Sequence, residues 1–126
     1  MFLDEIFPTP IWGFDLDMDV DSIKYWCYSC MKENPGRVIS NVGGWQSEDY
    51  REFGHTPLTD LVLYIVKESH NIAKDIGIPE GDRWIENLWL NINPKYSYNQ
   101  VHVHPEARLS GVFYVSAPEN SGDICF

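Results

Sequence analysis

The sequence predicts an α+β fold, with amphipathic helices in the first half and short antiparallel strands in the second that curl toward a barrel or jelly roll. Three observations predict it. Apolar residues recur at helical spacing across 23–31 and again across 58–76, the period changes to two after Gly77, and turn residues then divide the remainder into short runs. At 126 residues, with five Trp, seven Tyr and six Phe, the chain is read as a single domain over 1–126 with enough apolar surface for a core.

Each element has its own signal. Residues 6–16 are apolar but broken by Pro8, Pro10 and Gly13, which predicts an irregular edge strand. Asp21 is the expected cap of the first helix, and Pro35-Gly36 ends it. Within it, Ile23, Trp26, Cys27, Cys30 and Met31 form one stripe. The spacing of Cys27 and Cys30 is shared by zinc knuckles and thiol redox sites. Both sulfurs nonetheless lie on the apolar stripe, and no second close pair completes a zinc set, so they are expected to be reduced, buried and free of metal. Residues 38–47, containing Ser40-Asn-Val-Gly-Gly-Trp-Gln-Ser47, are rich in turn formers and predict a loop or short strand. Thr56-Pro57 is an N-cap and first-turn pair. From there Leu58, Leu61, Val62, Ile65, Val66, Ile72, Ala73 and Ile76 carry a helical stripe to a stop at Gly77.

Beyond Gly77, Trp84, Leu88, Leu90 and Ile92 alternate with Asn87, Trp89, Asn91 and Asn93. This predicts a strand with one apolar face and one partly polar face that lines a candidate pocket. A loop over 94–99 leads into a strand carrying His102 and His104, residues 109–116 form another, and a turn over 117–122 leads to a last one at 123–126. Side chains two apart on a strand share a face, so His102 and His104 present two imidazoles together, which is half of a metal site. The other histidines, His55 and His70, fall at a helix end and on a helix, and read as surface residues.

A net charge of −10 repels phosphate backbones and anionic lipids, which argues against nucleic acid or membrane as the main partner. The N-terminus lacks a basic leader region, and the longest strongly apolar run, 61–66, is too short to cross a bilayer. With three cysteines that cannot all pair, the expected address is cytoplasmic.

Phe7-Pro-Thr-Pro-Ile-Trp12, the 40–47 run, Trp89-Leu-Asn91, Asn99-Gln-Val-His-Val-His-Pro105, Leu109-Ser-Gly-Val-Phe-Tyr114 and Asn120-Ser-Gly122 follow one another in an order that resembles the 2-oxoglutarate and Fe(II)-dependent oxygenases of bacteria and marine phages. The resemblance spans most of the chain. It implies a double-stranded β-helix, the jelly-roll, cupin-like barrel, preceded by N-terminal helices and holding iron at its open end. It makes His102 the first iron ligand and sets His104 where the wider superfamily has Asp or Glu. Fe(II) and 2-oxoglutarate are the implied cofactor and co-substrate. Such a centre holds iron by three protein ligands on one face and leaves three positions for 2-oxoglutarate and O₂. The protein contributes placement and shielding while the co-substrate is oxidatively decarboxylated and a C–H bond of the substrate is attacked. Asn91, Asn93, Tyr96 and Tyr98 are candidates for hydrogen bonds to the co-substrate, and no catalytic side chain is singled out.

The implied distal His and the basic residue for the far carboxylate of 2-oxoglutarate are expected on a later strand beyond Phe126, so the barrel is expected to be incomplete at its C-terminus. Glu106 joins the site if Pro105 does not turn the chain. With two histidines alone, the 126-residue chain is expected to bind metal weakly and to turn over little co-substrate. The substrate is not indicated. Two alternatives remain open: a cupin-type metal protein, whose pattern Glu106 and Tyr96 fit poorly, and a non-catalytic β-sandwich module forming a homo-oligomer through exposed strand edges.

Overall fold

In a computed structural model, residues 9–79, 81 and 85–126 are described. Residues 6–8 of the predicted edge strand, Phe7 and Pro8 of the first motif, and Trp84 lie outside them. The element order is α1 (Val20–Glu33), β1 (Asn41–Val42), β2 (Trp45–Gln46), α2 (Thr59–Asp75), β3 (Asn91–Ile92) and β4 (Tyr98–Asn99). Helices therefore combine with small antiparallel sheets, as an α+β chain requires. No helix among the described residues is long and apolar enough to cross a membrane.

Helix α1 is capped by Asp19 rather than by Asp21: the Asp19 carboxylate accepts from the Ser22 backbone N–H at 3.0 Å and from the Ser22 hydroxyl at 2.6 Å. These two bonds hold Asp19 below the usual carboxylate range. Asp21 sits in the first turn, where its charge still complements the helix N-terminus. The predicted stripe is the buried one, with Ile23, Cys27 and Cys30 in the core and Trp26 and Met31 half-buried. Burial, reinforced by the neighbouring Cys30, pushes the Cys27 thiol up to about 11, and both free cysteines pack in the core as small hydrophobes.

Helix α2 begins two residues later than the Thr56-Pro57 pair suggests. Thr56 instead organises a single turn ahead of it, its hydroxyl oxygen accepting from Leu58 N–H at 3.3 Å and its carbonyl from Thr59 N–H at 3.1 Å. At the other end Gly77, at φ 73°, closes the helix: Gly77 N–H bonds the Lys74 carbonyl at 3.2 Å and Ile78 N–H the Ala73 carbonyl at 2.8 Å, a paired closure that needs a left-handed residue at this point.

The sheets are two separate two-stranded ladders. β2 pairs β3, with Trp45 opposite Ile92 and Gln46 opposite Asn91, and the pairing runs on through Ser47–Leu90 and Tyr50–Leu88 hydrogen bonds. β1 pairs β4, with Asn41 opposite Asn99 and Val42 opposite Tyr98. The predicted alternation holds for most of this run: Leu90 is buried and Leu88 and Ile92 are half-buried, whereas Asn87, Asn91 and Asn93 are exposed and Trp89, placed on the same face as these asparagines, is half-buried. The core collects Ile23, Cys27, Cys30, Leu58, Leu61 and Leu90, with Trp26, Trp45, Tyr50, Phe113 and Val115 against it.

The remaining strands do not form. Residues 9–16, 101–104, 109–116 and 123–126 have no ladder partner among the described residues, and no barrel closes there, so the expected jelly roll reduces to the four short strands. Alternation sets which face a side chain takes, but a strand also needs a neighbour for its N–H and C=O groups, and these segments lack one among the described residues. Within 100–126, Phe113 and Val115 are half-buried and the rest is exposed.

Candidate metal centre

The approach to the histidines is built from the turn-rich motif. Asn41 is buried and ties the turn together: its amide donates to the Arg37 carbonyl at 3.1 Å and the Gly44 carbonyl at 2.9 Å, and its oxygen accepts from Ile39 N–H at 2.9 Å. Gly43 takes φ 75°, which favours glycine, and a side chain at Gly44 would displace the Asn93 amide. Ser47 secures Leu90, donating its backbone N–H to the Leu90 carbonyl at 3.0 Å and accepting the Leu90 N–H on its hydroxyl at 2.9 Å. Ser40 secures the far end: its carbonyl accepts from Gln100 N–H at 2.7 Å and its hydroxyl from the Asn99 amide at 3.1 Å. Arg37 pairs with Asp49, and that bond holds the Asp49 carboxyl below its usual range.

His102 and His104 follow directly. Their ring centroids lie 4.8 Å apart at 86°, so the two imidazoles share one side as their spacing predicts, although the segment is extended chain without a ladder. Both side chains are exposed rather than set in a cavity. Trp89 lies against His104, ring centroids 5.4 Å apart. His102 Nδ1 is 2.7 Å from the Gln100 carbonyl. A carbonyl only accepts, so Nδ1 is the donor in this contact, and in the neutral ring that makes Nε2 the nitrogen with the lone pair a metal would use.

The structure brings these two rings together, and the set stops there. Among the described residues no group of three or more His, Cys, Asp or Glu comes together to hold a metal ion. Glu106 does not join them: a turn at 105–106 leaves it exposed at φ 73°, with Ala107 N–H bonded to the His104 carbonyl at 3.3 Å. His55 is exposed at φ 62°, and His70 Nδ1 is bonded to the Val66 carbonyl of its own helix at 2.8 Å.

The co-substrate candidates divide. Asn93 donates its amide to Asn99 at 2.9 Å and is thereby committed to the scaffold. Asn91 is exposed on β3, Tyr98 is 55% exposed on β4, and Tyr96 is 89% exposed at φ 71°, with the Lys95 ammonium 4.9 Å above its ring. Sequence reasoning did not find Ser40, Asn99 and Gln100 as supports. The turn-rich run was visible, but nothing in it marks which polar side chains become buried.

A family model described as "Putative 2OG-Fe(II) oxygenase" matches residues 87–126, the segment that holds β3, β4 and both histidines. No curated protein and no solved structure matches the chain.

Proposed function

We propose that this chain is a non-haem Fe(II)- and 2-oxoglutarate-dependent oxygenase of the hydroxylase type, with His102 and His104 as its metal ligands. The paired imidazoles inside the matched segment carry this reading. When bound, Fe(II) would supply the chemistry in which O₂ oxidises 2-oxoglutarate to succinate and CO₂ with one oxygen atom and places the other in a substrate C–H bond. The chain's own part is placement. The Gln100 carbonyl holds the His102 proton on Nδ1, and Trp89 braces His104. Asn91, Tyr96 and Tyr98 offer donors to the co-substrate carboxylates, ahead of the engaged Asn93. The three free thiols suit a cytoplasmic address. The jelly-roll barrel of the resemblance remains part of this proposal.

A second reading draws on the unpaired 101–126 segment, where Val101, Val103 and Val112 are exposed. Such an edge suits β-pairing with a second copy in a non-catalytic module, and mass measured in solution separates the two readings.

Two imidazoles hold a metal loosely, so the expected result is weak Fe(II) binding and slow succinate formation with ascorbate and 2-oxoglutarate, both lost in His102→Ala and His104→Ala. Succinate formation indifferent to both substitutions would overturn the assignment, as would a wild-type chain with no affinity for Fe(II) or Co(II).

A further inference from the structure

We propose that Ser40, sixty-odd positions upstream, is the positioning residue that sets the tautomer and pose of His102. This deepens the metal-ligand reading above and rests on it for its functional meaning, though not for its geometry.

The connection runs through one residue. Gln100 has its N–H fixed to the Ser40 carbonyl at 2.7 Å, while its own carbonyl receives the His102 Nδ1 proton at 2.7 Å. Only the φ and ψ of Gln100 lie between these two groups, so anchoring the N–H leaves two rotations by which the carbonyl can leave His102. The Ser40 hydroxyl adds a second hold on the preceding residue by accepting from the Asn99 amide at 3.1 Å, and the Asn99 oxygen in turn accepts from Asn93 at 2.9 Å. Ser40 itself is 8% exposed and abuts β1, whose ladder with β4 ends at the Asn41–Asn99 pair. The ladder therefore stops at Asn99, Ser40 holds the next residue, Gln100, and the two histidines follow immediately. Partners that orient ligating histidines in this way commonly change metal affinity by about 10–100-fold when removed.

The test reads the imidazole directly. Long-range proton–nitrogen correlation spectra of the metal-free 126-residue chain should show His102 as the Nδ1–H tautomer. Gln100→Pro, which removes the N–H bonded to the Ser40 carbonyl, and Ser40→Ala, which deletes the hydroxyl hold on Asn99, should each shift His102 toward the Nε2–H form and weaken Co(II) binding about tenfold. Ser40→Thr, which keeps a hydroxyl, should restore both. Asn99→Ala, made on the partner side, should reproduce the Ser40→Ala spectrum even if the buried Ser40 site proves intolerant. An unchanged His102 tautomer in Gln100→Pro, Ser40→Ala and Asn99→Ala, all folded by circular dichroism, would overturn the proposal. A wild-type chain with the Nδ1–H tautomer but no Co(II) affinity would instead sink the metal reading and leave the positioning role standing.

Discussion

Asp49 is half-buried beside Arg37, and the guanidinium's hydrogen bond is the main reason its carboxyl titrates below the ordinary range. A depressed folded-state value means that the ionised form is favoured by folding. Its stabilising contribution is full above the unfolded value of about 3.9 and disappears as pH falls through the lower folded one. Asp19 acts with the same sign through Ser22. Asp49→Asn should therefore flatten, without abolishing, the acid side of a plot of urea midpoint against pH. An acid limb as steep as wild type would show that the Arg37–Asp49 pair contributes nothing. At this scale the sequence was readable where one residue sits in a periodic pattern: Cys27 and Cys30 are buried because they share a stripe with Ile23. It was not readable at Ser40, Asn41, Gln46 and Ser47, which are polar yet buried, because their burial depends on partners at Arg37, Leu90, Asn91 and Asn99 that no local pattern names.

The helices were legible as elements because each carries its full signal within its own residues: a period, a start and a stop. Only their first turns were misplaced, at Asp19 in place of Asp21 and at Thr59 in place of Thr56-Pro57. Cap choice turns on which nearby oxygen can reach an N–H, and neighbouring candidates satisfy the same rule. The strands depended on pairings separated by α2 or by long loops, so alternation placed faces correctly in 88–92 and forecast ladders that 101–104 and 109–116 lack. Helix α1 is fastened to the core chiefly through Ile23, 2% exposed and in the same cluster as Leu58, Leu61 and Leu90. Ile23→Ala should cost about 3 kcal/mol, seen as a lowered urea midpoint at constant slope. A loss below about 1 kcal/mol would show that the core repacks around the space.

The whole molecule divides into a cored part, comprising α1, the start of α2 and the β2–β3 ladder, and an extended part from 101 onward that touches the core at Phe113 and Val115. Amide exchange should follow that division, fastest over 101–112 and slowest over 23–30. Equal protection in the two stretches would show the 101–112 segment to be paired in solution. The histidines' closeness in sequence has a thermodynamic consequence. A chelate formed by residues two apart survives in the unfolded chain, where the same pair can still close on a metal. Added metal therefore stabilises the fold only by the ratio of the two affinities, about 1.4 kcal/mol for each factor of ten, and not by its full binding energy. The rise in melting temperature on adding metal thus becomes a gauge of preorganisation: it measures how much better the moored His102–His104 pair binds than the same pair set loose.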